Sequence, residues 1–201
     1  MRVVALTGGV ASGKSLVLQQ FMKLGAYTID CDVLSREVVI PCSKAWWAIV
    51  RFFGTDILRN DLAVDRKKLR EIVFSDAQKR AALETIVHPE VRTKCRERIA
   101  AIKAIEPDPN ALVVVDVPLL IESGWQKDFD TVIIVYVSEA TQIKRLMARD
   151  GISKEAAEEL LAVLQMPLQE KLHFADSVIT NEGTREETEK QVRKVFTALS
   201  P

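Results

Sequence analysis

The chain has 201 residues, 48% of them hydrophobic and 28% charged, which predicts an ordinary globular protein of one or two domains. Lysine plus arginine equals aspartate plus glutamate at 28 each, so no bulk charge draws it to nucleic acid or an anionic membrane. A chain this long buries about 70% of the surface its unfolded form exposes, and needs no metal or disulfide for stability. Cys31, Cys42 and Cys95 are widely spaced and form no C-x-x-C, which predicts reduced thiols and a cytoplasmic setting. The longest apolar runs are strand-length, and the N-terminus reaches glycine too early for a signal peptide, so neither a membrane span nor a leader is expected.

In chain order, the first apolar run is Val3–Thr7, followed by a glycine-rich turn and a helical pattern over Lys14–Leu24. Tyr27–Asp30 reads as the second strand. From Asp32 to Ala104 only helical patterns occur: Asp32–Val39, Ser43–Phe53, Asp65–Phe74, Asp76–Val87 and Pro89–Ala104. About seventy residues of helix between strands predict an inserted subdomain rather than a crossover. Glu106–Asn110 reads as the linker back, and Leu112–Val117 and Thr131–Val137 as continuously apolar strands covered on both faces. Ser138 is placed to cap Glu139–Arg149, which Gly151 stops, and Ser153 to cap Lys154–Gln165 before Pro167. Ser177–Thr180 is the fifth strand. Thr184 with Glu187 forms a capping box for Arg185–Leu199. The alternation predicts an α/β fold with a five-stranded parallel sheet, split into a core of 1–31 plus 106–201 and a helical subdomain of 32–105.

The strongest chemical signal is Gly8, Gly9, Val10, Ala11, Ser12, Gly13, Lys14 and Ser15, which fits G-x-x-x-x-G-K-[ST] between a strand and a helix. Glycines let backbone N–H groups close around phosphate oxygens where a Cβ would collide. Lys14 supplies a point charge to the β- and γ-phosphates, and Ser15 a hydroxyl to Mg²⁺. Asp30 and Asp32 flank Cys31 at the carboxyl end of the second strand, the edge that faces the ligand crevice in such sheets. One suits Mg²⁺ through water and the other the acceptor hydroxyl. The structural alternative makes Asp32 the N-cap of the next helix and Asp30 a solvated strand end. Neither Asp116–Leu119 nor Thr180–Gly183 matches a GTP-switch motif, and no transporter signature is present, so a small-molecule kinase fits best.

The detailed motifs are similar to those of the dephospho-CoA kinase family. They are Leu6–Ser15, Ile29–Asp32, Phe53-Gly54, His88-Pro89, Val117–Leu120 with Glu122, Arg145–Arg149, Gln165–Pro167, and Ala175–Asn181 with Gly183, in the family's order along nearly the whole chain. The resemblance implies an adenylate-kinase-like core, a helical substrate-binding subdomain and a lid at about 145–170. It implies ATP-dependent phosphorylation of the ribose 3′-hydroxyl of dephospho-CoA, with ATP, Mg²⁺ and dephospho-CoA as partners. Asp32 matches the general base, Arg149 and Arg145 the lid side of the transferring phosphate, and Asn181 the loop against adenine. Leu16 completes the ATP-contacting segment, while His88, Arg92 and Leu119 are candidate acceptor contacts. For His88 the plain alternative is a boundary between two helices, and for Arg92 a solvated helix residue. Ala11 and Leu16 depart from the usual glycine and small hydroxyl, Cys42 from a glycine, and Leu161 from an arginine. The competing enzyme reading is a nucleoside or nucleotide monophosphate kinase; the different-class reading is a nucleotide-dependent binding module.

Overall fold

The computed structural model describes residues 1–164 and 166–200; Gln165, part of a predicted helix end and of the Gln-Met-Pro motif, lies outside the described residues. β1 (Arg2–Gly8) runs into the glycine-rich turn and α1 (Lys14–Lys23), and β2 (Tyr27–Asp30) into α2 (Cys31–Glu37). Then come α3 (Lys44–Phe53), α4 (Arg66–Phe74), α5 (Ala77–Ile105), β3 (Leu112–Asp116), β4 (Thr131–Tyr136) and α6 (Glu139–Asp150). α7 (Lys154–Leu164), α8 (Leu168–Lys171), β5 (Ser177–Thr180) and α9 (Arg185–Leu199) complete the order. Two compact units emerge: Met1–Asp30 with Ile105–Pro201, and Cys31–Ala104.

The first unit is a five-stranded sheet in the order β2-β3-β1-β4-β5, with every pairing parallel. All of β3 is buried, as its unbroken Leu-Val-Val-Val-Asp sequence requires of a strand covered on both faces. Val17 and Phe21 of α1 and Val192 of α9 pack on Val4, Leu6, Val114, Ile133, Val135 and Ile179. Phe21 is wholly buried, a contribution of about 1.5–3 kcal/mol. The chain leaves β1 toward β2 on one side and leaves β3 toward β4 on the other. Their carboxyl ends therefore form a topological switch point, where such sheets bind ligands. Register places Leu6 of β1 and Asp30 of β2 opposite Asp116 of β3.

Caps fix the helices that carry the site. The Ser138 hydroxyl accepts the Thr141 N–H at 3.3 Å, and Gly151 ends α6 in the left-handed region at φ 66°. Thr184 and Glu187 close the reciprocal box at the start of α9, at 3.3 and 2.9 Å. No helix among the described residues is long and apolar enough to cross a membrane.

The second unit is helical and has its own core of Trp46, Ile49, Ile57, Val64 and Leu69, with Leu83, Ile86 and Val87 against it. Two expectations are corrected here. The predicted break at His88-Pro89 does not occur: α5 runs continuously from Ala77 to Ile105 with Pro89 inside it. Pro89 removes a helical N–H, which costs ~3 kcal/mol in a helix interior. Yet Leu83, Val87, Val91 and Cys95 follow one another at four-residue spacing across it, with Val91 and Cys95 buried. An apolar stripe in phase on both sides of the proline keeps the helix whole. Asp32, offered as an N-cap, instead lies inside the first turn of α2, which begins at Cys31. The predicted helix starts Ser43 and Asp65 are themselves the caps of α3 and α4.

Candidate nucleotide-phosphate site

The glycine-rich turn is shaped by collisions that it avoids. A Cβ on Gly8 would stand 2.7 Å from the Val135 carbonyl oxygen and 2.8 Å from Ser12 Oγ. Gly13 has φ 88°, and a Cβ there would run into the Asn181 amide nitrogen. Ala11 also sits in the left-handed region, at φ 58°, a conformation that glycine adopts without penalty. This gives a backbone reason for the glycine usual at that place.

Three successive carbonyls of the loop, those of Val10, Ala11 and Ser12, are held by side chains from outside it. Gln142 Nε2 donates to Val10 O at 2.7 Å. Arg145 Nη1 donates to Ala11 O at 3.3 Å and Ser12 O at 3.4 Å, while its Nη2 reaches Asn181 O at 2.8 Å. Asn181 Nδ2 donates to Ser12 O at 2.8 Å, and Asn181 Oδ1 accepts from Thr188 Oγ1 at 2.8 Å. Because trans peptides are planar, the N–H after each clamped carbonyl points the opposite way. Those of Ala11 and Gly13 therefore turn away from the clamp, while the Ser12 N–H closes the turn on Gly9 O at 3.2 Å. Gly13 gives α1 no side-chain cap, so the first amides of the helix face outward for an anion.

Lys14 and Leu16 are half-buried in the first turn of α1, and Ser15 is exposed. Ser12 Oγ is buried and has no hydrogen-bond partner among the described residues, an orphan that a phosphate oxygen would satisfy. The hydroxyl of Ser15 and the strand-end carboxylates Asp30 and Asp116, which stand opposite one another in register, are hard-oxygen donors of the kind that could hold Mg²⁺ alongside nucleotide phosphates. The described residues hold no group of three His, Cys, Asp or Glu that would cage a metal without the nucleotide.

Behind the loop lies Lys171, fully buried, whose ammonium pairs with Glu122 at 2.8 Å and reaches Pro118 O at 3.5 Å. Burial lowers its pKa, and the charge of Lys14 lowers it further, against the pull of Glu122. Glu122 also accepts the Met166 N–H at 3.1 Å, which ties the turn after β3 to the segment before α8. Leu119 is half-buried in that turn. Arg149, one turn after Arg145 on α6, is held by Asp150 at 2.7 and 2.8 Å, which raises its pKa. Gly9 and Gln142 line a groove of about 290 Å³ that Leu161, Pro167 and Leu168 continue.

In the helical unit, Asp32 is exposed on the first turn of α2. His88 and Arg92 stand one turn apart on α5. Burial lowers the His88 pKa, with Arg92 adding to the effect and Glu84 opposing it. The residues that motif reading missed are Gln142, Thr188, Lys171 and Asp116. Gln142 carried a signal, since it stands three and seven residues before Arg145 and Arg149 on one helix face.

A family model described as "Dephospho-CoA kinase" matches residues 2–187. The dephospho-CoA kinase of Geobacter metallireducens is 46% identical over 192 residues, 96% of this chain and 94% of that protein. The solved dephospho-CoA kinase from Campylobacter jejuni matches with a TM-score of 0.73 at 29% identity, over 98% of this chain and 96% of that one. Shikimate kinase from Acinetobacter baumannii, solved in complex with shikimate, matches at a TM-score of 0.54 and 16% identity, over 98% and 94% of the two chains, and shares the fold alone. A P-loop clamped at the carboxyl edge of a five-stranded parallel sheet, and likeness along nearly the whole length, have one explanation: the chain belongs to the dephospho-CoA kinase family, a family of P-loop kinases.

Proposed function

We propose that the protein transfers the γ-phosphoryl group of ATP to the ribose 3′-hydroxyl of dephospho-CoA, giving CoA, the last step of coenzyme A synthesis. The observation that carries this is the glycine-rich loop with Val10, Ala11 and Ser12 carbonyls each taken by a side chain, in a chain of this family. A loop pinned this way presents fixed N–H groups to phosphate, and fixed dipoles need no reorganisation as charge moves in the transition state.

In-line phosphoryl transfer asks the protein mainly for positioning and electrostatics. Residues 8–16 hold the triphosphate, and Lys14 balances charge on the transferring group. Ser15, with Asp30 and Asp116, would hold Mg²⁺, which when bound neutralises the β- and γ-oxygens. Asp32 accepts the proton of the acceptor hydroxyl. Arg149 exchanges the Asp150 carboxylate for the oxygens of the transferring group, one anion for another. Arg145 and Asn181 serve ATP by fixing the loop, and residues 145–170 act as the lid that excludes water. The helical unit, with His88 and Arg92, takes the acceptor, as does Leu119 after β3. That Cys31, Cys42 and Cys95 form no disulfide among the described residues supports a cytoplasmic setting.

Asp32→Asn tests the base. It keeps shape and loses proton affinity, so kcat should fall by roughly 10²–10⁴-fold with ATP affinity little changed. A kcat within about threefold of wild type would remove Asp32 from the chemistry.

A further inference from the structure

Outside the nucleotide site, a cluster of basic side chains lies within the helical unit. An open pocket of about 380 Å³ is lined by Arg36 on α2, Arg59 after Ile57, and Arg66 and Lys67 at the start of α4. Asp65 is the carboxylate in that wall, and its Oδ1 is already committed to the N–H groups of Lys67 and Lys68, each at 3.1 Å. Arg59 has Asp61 at 3.2 Å. Arg36 and Arg66 have no carboxylate partner among the described residues. Val39, Ile40 and Pro41 give the same pocket an apolar side.

We propose that this pocket is the subsite for the diphosphate of the acceptor, with Arg36 and Arg66 as its principal ligands. The proposal rests on the dephospho-CoA reading and assigns a particular part of that molecule to particular side chains. Guanidinium forks match phosphate oxygens two at a time, so arginines fit a diphosphate better than lysines would. Partial burial and the charges of Arg36 and Arg59 work against the charged form of Arg66. Arginine stays protonated nonetheless, and an incoming anion relieves that repulsion.

Spacing along α2 supports the same ligand. Asp32 and Arg36 are four residues apart, hence on one helix face and roughly 6 Å apart along the axis. The 3′-hydroxyl and the 5′-phosphate of a nucleotide are separated by a comparable span on one ribose. A carboxylate that receives the hydroxyl and a guanidinium that receives the phosphate can therefore act from successive turns of one short helix. The apolar wall suits the uncharged arm beyond the diphosphate.

The test is steady-state kinetics of the full chain with Arg36→Gln, Arg66→Gln and Arg66→Lys, with circular dichroism to confirm folding. KM for dephospho-CoA should rise at least tenfold in both Gln variants while KM for ATP stays within twofold. Arg66→Lys should recover part of the loss. Calorimetry of wild type and Arg36→Gln with inorganic diphosphate should show weakened binding in the variant. Arg36 is exposed on α2, so Arg36→Gln decides the matter if the Arg66 variants do not fold. KM for dephospho-CoA within threefold of wild type would overturn the subsite. So would loss of inorganic diphosphate binding alone, which would mark an adventitious anion site. Failure of the underlying reading shows separately, as no turnover of dephospho-CoA by the wild type, and removes the assigned ligand with it.

Discussion

Gln142 does for the glycine-rich loop what no residue inside the loop can do. It is buried, and its amide holds the Val10 carbonyl from a helix 132 residues away in sequence. Gln142→Leu keeps the bulk and removes the donor, leaving a part-buried carbonyl unmatched at a cost of about 1–3 kcal/mol. Because that carbonyl sets the direction of the Ala11 N–H, KM for ATP should rise by roughly tenfold with KM for dephospho-CoA unchanged. Unaltered ATP kinetics in a folded Gln142→Leu protein would show that the loop holds its shape without the clamp. The loop itself was legible because Gly8 to Ser15 are contiguous and their spacing is dictated by local sterics. Its clamp was not. Arg145 and Asn181 were singled out for the nucleotide, but that they grip the loop's carbonyls depends on contacts between residues 133 and 169 positions apart.

At the scale of elements, strand and cap signals carried most of the fold. The Thr184–Glu187 box and the Ser138 cap lie where their local chemistry puts them, because each acts within one turn. α5 was misread as two helices because proline is a local signal, whereas the stripe from Leu83 to Cys95 needs a tertiary core to count. That continuous helix carries a pH response. His88 is half-buried and its folded pKa lies below the ordinary value, while the unfolded chain protonates near 6.5. Below about pH 6.5 the unfolded state binds the extra proton first. Stability from this group is therefore complete above that pH and is lost as pH falls through the folded value. The melting temperature should drop between about pH 7.5 and 5.5 more in wild type than in His88→Gln. Equal drops in the two proteins would show that His88 contributes no linkage.

For the whole molecule, charge balance hides a division of labour. The net charge is zero, yet the sheet-bearing unit places Lys14 and Lys171 near one another, and the helical unit gathers three arginines around one pocket. The charge of Lys171 is offset by its pair with Glu122, whereas the arginine pocket is a local concentration of positive charge, as the proposed subsite requires, rather than a general attraction for polyanions. Composition could not reveal the second cluster, because Arg36, Arg59 and Arg66 belong to different elements that only folding brings together.

The most direct test of the central claim is an acceptor comparison with purified protein and ATP·Mg²⁺, using dephospho-CoA, AMP and adenosine, with the product read by ³¹P spectroscopy. The account predicts rapid ADP release with dephospho-CoA alone, and a new phosphomonoester resonance beside an unchanged diphosphate, as phosphorylation of the ribose 3′-hydroxyl requires. Turnover of AMP or adenosine with dephospho-CoA left unmodified would contradict it.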